Sequence, residues 1–215
     1  MGPGVTRFLR VLAAGAVAVV AGCTGGQSSS GAELRGLVRD DPLVVADVVV
    51  TEVDHNGAQQ ALTLRAAPDE LLVVYFGFTS CPDLCPTTLA DLRAARQRLS
   101  DDRAARVDLA MVTVDPERDQ PSVLVGYLGG FAQRFHAVRP RDMAELARAQ
   151  DAFLAASSIS VGDDGRVEVA HSTATYVVDE AGVVVVEWPF AAVVETMAHG
   201  LEVLFDRMNT TGGGA

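Results

Sequence analysis

Lysine is absent from this chain of 215 residues. The 17 basic side chains are all arginine, set against 28 acids, and the net charge is −11. An acidic balance with no basic face excludes nucleic-acid binding as a function class. Cysteine occurs three times and tryptophan once, too little cysteine for a fold held by disulfides. The structure must therefore rest on an apolar core, and a hydrophobic fraction of 49% in a chain of this length suits one sizeable domain. Internal repeats are absent. The apolar run VLAAGAVAVV at 11–20 falls short of the roughly 20 residues that a spanning helix needs.

That run follows Arg7 and Arg10 and precedes VAGC at 20–23. A positive segment, a short apolar segment and small residues are the arrangement of a secretory signal peptide. VAGC also resembles the lipobox of bacterial lipoproteins. The resemblance implies cleavage before Cys23, lipidation of its thiol, and anchoring on the extracytoplasmic face of the cell membrane. Loss of 1–22 leaves 15 arginines against 28 acids, so membrane attachment falls to lipid and not to a basic patch. The Gly- and Ser-rich TGGQSSSGAE that follows reads as a flexible tether. The expected organisation is a signal peptide at 1–22, a lipid-anchored tether at 23–42, a folded domain at 43–208 and a disordered tail at 209–215.

Within the domain, VVADVVVTEV and ALTLR flank an Asn-Gly turn signal and predict an N-terminal β-hairpin. ELLVVYFGF at 70–78 is apolar throughout, as a buried strand should be. TTLADLRAARQRL at 87–99 has a helical period, and RVDLAMVTVD at 106–115 is the next strand. Segments 120–135 and 140–155 read as helices, the second capped by Asp142 with Glu145 at the capping-box position. VGDDGRVEV is a hairpin turn, ATYVVD and VVVVEW an antiparallel strand pair, and a last helix closes the domain. Strands joined by helices predict a parallel, right-handed α/β layer. The order of elements is that of a thioredoxin-like fold with an N-terminal β-hairpin extension and a helical insert.

FGFTSCPDLCP places Cys81 and Cys85 after the first core strand, at the sheet end where such folds put their chemistry. Cys81 falls on the loop and Cys85 at the helix N-terminus, where exposed N–H groups predict a low-pKa thiolate. A staple closing so short a loop would stabilise little, which leaves a redox pair or a metal site. A thioredoxin-type redox motif is Cys-x-x-Cys, one residue shorter. The approach to the facing strand, VEVAHSTATYVVD, has no proline and carries His171 at its mouth. Two soft sulfurs and an imidazole make a three-ligand set. Structural zinc wants four protein ligands and iron–sulfur clusters usually four cysteines, whereas three such ligands suit copper. His55, His136 and His199 have no ligand spacing, the first in a turn and the others on helical faces. Trp188 and Phe190 read as core or rim.

FGFTSCPDLCP, TVDPERD at 113–119 and AHSTATYVVD at 170–179, in this order, resemble the SCO/SenC family of copper-binding, thioredoxin-like proteins over about residues 44–206. The resemblance implies that Cys81, Cys85 and His171 bind copper as Cu(I) or Cu(II). It further implies a role in building the copper centre of cytochrome c oxidase, with subunit II as the partner that accepts copper. The alternative is a thiol-disulfide oxidoreductase using Cys81 and Cys85 as its redox pair, keeping cysteines of exported or oxidase proteins reduced. Asp115, Arg118 and Asp119 follow a strand end near the thiols, and Asp115 and Asp119 are candidates to orient the ligands from behind.

Overall fold

A computed structural model describes residues 1–2 and 33–212 of the chain. The chain divides into two units, Met1–Ser30 and Gly31–Ala215, and every strand and helix among the described residues lies in the second. The signal peptide at 3–22, Cys23 and the tether up to residue 32 lie outside the described residues. Among those described, no helix is long and apolar enough to cross a membrane.

The elements run β1 (Val49–Val53), β2 (Gln59–Thr63), β3 (Leu71–Gly77), α1 (Leu84–Arg96), α2 (Asp101–Ala104), β4 (Val107–Thr113), α3 (Pro121–Gly129), β5 (Phe135–Val138), α4 (Met143–Ala152), β6 (Ser157–Val161), β7 (Val167–His171), β8 (Thr175–Val178), β9 (Val184–Trp188) and α5 (Val194–Gly212). Seven strands form one mixed sheet in the order β2-β1-β5-β4-β3-β8-β9, and β6 and β7 form a separate two-stranded sheet. The three inner strands β3, β4 and β5 are parallel, as helical crossovers require. All seven residues of β3 are buried, as expected of a central strand covered on both faces. β8 returns antiparallel beside β3, pairing Tyr75 with Thr175, and β9 is antiparallel to β8. The hairpin β1–β2 joins the sheet through an antiparallel contact of Glu52 with Val138. Helix α1 packs against α5, and α4 against β1. Their apolar faces meet the strands in one core that includes Phe76, Leu89, Met111, Phe153, Trp188 and Phe205.

Three segments differ from the sequence expectation. The helix expected over 120–135 stops at Gly129, and Phe135–Val138 is a strand of the main sheet, so the insert is helix, strand, helix. The hairpin turn expected over 161–169 is found, with β6 and β7 as its arms. The expected tether overlaps the fold at its end. Leu37 pairs with Glu187 and Val44 with Val183, and the Trp188 indole N–H donates to the Arg35 carbonyl at 2.9 Å. Finally α5 continues to Gly212, four residues into the segment expected to be a disordered tail. The Asp142 cap is present, its carboxylate accepting from the Glu145 N–H at 2.8 Å.

Candidate metal centre

The parallel register of β3 and β4 brings Gly77 level with Thr113. The chain that leaves β3 and the chain that leaves β4 therefore emerge side by side. From β3 it turns through Phe78–Asp83 and enters α1 at Leu84, with Cys85 and Pro86 in the first turn. Proline is tolerated there because its missing N–H would have no helical partner. Cys81 lies on the turn, and its sulfur accepts from the Cys85 N–H at 3.3 Å. Both cysteines are buried free thiols.

His171 arrives from the other side of the fold, as the last residue of β7. Its Nε2 lies 3.5 Å from Cys85 Sγ. Its Nδ1 lies 2.8 Å from the carbonyl oxygen of Ser172. A carbonyl only accepts, so Nδ1 carries the proton and the Nε2 lone pair faces the sulfurs, the tautomer a metal ligand needs. Two rings hold the imidazole edge-on, Tyr75 at 6.0 Å and Phe78 at 5.7 Å between centroids. The ligand atoms of Cys81, Cys85 and His171 all lie within 4.8 Å of one another. A three-coordinate ion with bonds of about 2.3 Å sets its donors roughly 4 Å apart, so the residues fit a soft metal ion with little movement.

The low-pKa thiolate expected at Cys85 is overturned. Burial pushes its thiol up to about 12, against smaller opposing contributions from the Tyr75 hydroxyl and the Phe78 backbone. The side chain is fully buried, and desolvation of the anion outweighs the helix terminus. A metal entering the site must therefore displace the Cys85 proton.

Asp119 is fully buried and ties the cysteine turn to the end of β4. Its carboxylate accepts from the Thr79 hydroxyl at 2.6 Å, the Thr79 N–H at 3.1 Å and the Thr113 hydroxyl at 2.6 Å. Asp115 is buried beside it and is ion-paired with Arg118. The Arg118 guanidinium lies 5.9 Å from the centroid of the Phe78 ring, the ring that holds His171. Both aspartates thus act on the ligand-bearing turn through other residues. The remaining histidines stand elsewhere: His136 on β5 against Glu52, His199 on α5 against the Glu33 carbonyl, and His55 in the β1–β2 turn. Trp188 is fully buried and Phe190 exposed.

Sequence reasoning missed three participants. Gly77 is one: a Cβ there would stand 2.6 Å from the Tyr75 ring and 3.2 Å from Cys85 Sγ. The second is Tyr75, which pattern alone makes an ordinary strand residue. The third is Ser172, whose carbonyl fixes the histidine tautomer; a backbone group leaves no signal in side-chain identity. Buried hydroxyls without a hydrogen-bond partner also gather at this end of the sheet. Tyr75 and its cross-strand neighbour Thr175 both carry one, and so does Tyr127 on α3.

A thioredoxin-like domain with a buried Cys-Cys-His cluster at the carboxyl end of its central strands defines a class of soft-metal-binding proteins. The chain belongs to the SCO1/SenC family, whose model matches residues 51–206. The SCO2-like protein RP587 of Rickettsia prowazekii is 34% identical over 132 residues, 60% of this chain and 62% of that protein. The chain thus matches under two thirds of the length of such relatives. Among solved structures, apo Sco1 from Thermus thermophilus superposes with a TM-score of 0.63 at 27% identity, covering 83% of this chain and 97% of that one. Copper-bound ScoI from Bradyrhizobium japonicum gives 0.60 at 26% identity, covering 72% and 96%.

Proposed function

We propose that this protein binds copper through Cys81, Cys85 and His171 and delivers it to the copper centre of cytochrome c oxidase, with subunit II as acceptor. The convergence of three soft donors from two distant segments within 4.8 Å carries this reading. The binding of copper by the related ScoI supports the choice of metal. Copper here is cargo. Two sulfurs hold it tightly, and a set of only three protein ligands leaves a position at which an acceptor's ligand can enter. His171 is half-buried at the end of a hairpin outside the main sheet, so the imidazole is the ligand most open to exchange. Recruitment of copper releases the thiol protons to solvent, and affinity therefore rises with pH.

His171→Ala tests the assignment. Cu(I) affinity, read by competition with a chelator, should fall about a hundredfold or more, while both thiols remain titratable. Unchanged affinity would remove the histidine from the site and with it the copper reading.

The reductase alternative draws on the two adjacent free thiols. Against it stands Cys85, whose protonated, buried sulfur is a poor nucleophile at neutral pH. Exchange with a disulfide should survive His171→Ala, and copper binding should not. The lipid anchor at Cys23 and the extracytoplasmic location belong to the same proposal, supported by the VAGC motif. Cys23→Ser should release the chain from the membrane fraction; retention there would sink the anchor.

A further inference from the structure

We propose that the Tyr75 hydroxyl is a hydrogen-bond donor held in reserve for the Cys85 sulfur in its metal-bound, anionic form. Tyr75 is then a positioning residue for copper, acting through Cys85, and the inference rests on the copper reading above.

Tyr75 is fully buried, and its hydroxyl meets no partner at hydrogen-bond geometry. Among the described residues it closes no hydrogen bond, either to the Cys85 sulfur or to any other group. Gly77 shows how close the two groups are. The Cβ it lacks would touch both the Tyr75 ring and Cys85 Sγ, at 2.6 and 3.2 Å, so the ring edge and the sulfur border one gap. The same ring stands edge-on to His171. One buried side chain therefore touches the surroundings of two of the three ligands.

A buried donor without a partner is a cost that folded proteins rarely carry. It is explained if the partner changes character. In the metal-free protein Cys85 is a thiol, a weak acceptor. When copper binds, the S–H bond breaks, the proton leaves to solvent and the sulfur lone pair goes to the metal. The thiolate that results is a strong acceptor, and a bond to it is charge-assisted. Tyr127 supplies the contrast. Its hydroxyl is also buried and unpaired, but the ring that shares the gap beside Gly77 with Cys85 Sγ is that of Tyr75.

The test compares Tyr75→Phe and Tyr127→Phe in the full chain, with and without copper. Tyr75→Phe should leave the metal-free melting temperature equal to or above that of the parent, because an unsatisfied group is gone. It should lower Cu(I) affinity about tenfold and move the thiolate-to-Cu(II) charge-transfer band to lower energy. Tyr127→Phe should leave affinity and band in place. Parent-like affinity and band in Tyr75→Phe would overturn the proposal. So would an equal loss of stability in the metal-free and loaded forms, the mark of a packing role. The parent chain gives a check that needs no variant: the tyrosine Raman doublet should change intensity ratio when Cu(I) is added, and an unchanged doublet overturns the proposal. A parent chain that binds no copper through its thiols fails earlier, at the proposed function itself, so the two failures are distinguishable.

Discussion

At the scale of single residues, the three ligands were legible in the sequence because each has a chemistry that its neighbours lack. Cys81 and Cys85 are the only cysteines after residue 23, and His171 ends β7, a few residues ahead of the strand β8 that lies beside β3. What supports them was less legible. Asp119 announces itself only as an acid after a strand end, yet its carboxylate joins Thr79 on one strand's exit to Thr113 on the next. Removing that carboxylate should loosen the cysteine turn. Asp119→Ala leaves the buried Thr113 hydroxyl and the half-buried Thr79 donors without their acceptor, and hydrogen bonds to a charged group contribute about 1.5–3 kcal/mol each. We expect a loss of about 3 kcal/mol in urea denaturation of the metal-free chain. Copper affinity should also fall 10- to 100-fold, in the range of other groups that orient ligands. A variant as stable as the parent would show that the turn holds itself. Gly77 was illegible for a different reason: its role is the absence of a side chain, and that is visible only once Tyr75 and Cys85 are placed around it.

At the scale of elements, the long apolar runs read themselves. β3, β4, β8 and β9 are buried strands with few polar residues, and the helical period of α1 and the Asp142 cap of α4 are local signals. β5 escaped because Phe135–Val138 is four residues long and follows a helical pattern that only Gly129 and Gly130 interrupt. Its pairing with β4, a non-local fact, makes it a strand. This placement changes the reading of His136, which moves from a helical face to the sheet. Between Asp108 on β4 and Glu52 on β1, with Arg134 also bound to Asp108, its pKa is raised, chiefly by Asp108 and then by Glu52. A raised pKa means that the folded state holds the proton more tightly than the unfolded one. The stabilisation is fully present below the unfolded value near 6.5 and is lost as pH rises through the higher folded value. The stability advantage of the parent over His136→Gln should therefore be largest at acid pH and shrink as pH rises above neutrality. Paired melts across that range read it, and a difference independent of pH would show that His136 acts by packing alone.

At the scale of the whole molecule, the alternation of strands and helices places the chain among α/β domains, and composition sets the expected domain boundary at residue 43. A Gly- and Ser-rich opening predicts a tether that runs to residue 42. Residues 33–42 instead lie along the outer edge of β9. Leu37 exchanges backbone bonds with Glu187, at 2.9 Å each. Arg39 is ion-paired with Glu187, which is 6% exposed, and the Arg35 carbonyl accepts the Trp188 indole N–H. Gly36 allows the approach: its φ is +137°, and a Cβ would stand 2.7 Å from the Glu187 carbonyl oxygen. A fragment begun at residue 43 therefore loses more than a linker. It exposes the edge of β9, leaves the buried Trp188 donor unpaired and leaves Glu187 without its cation. The orphaned buried indole alone costs about 1–3 kcal/mol. Arg39 is partly solvent-exposed, which screens its share of the ion pair, so the indole carries most of the loss. The expected outcome is that a fragment of 33–215 melts as a stable unit, whereas 43–215 melts well below it and is more prone to aggregate through the open strand edge. Equal melting temperatures for the two fragments would return residues 33–42 to the role of a tether. The distinction matters for function as well, because residues fixed along β9 belong to the folded domain that carries Cys81, Cys85 and His171.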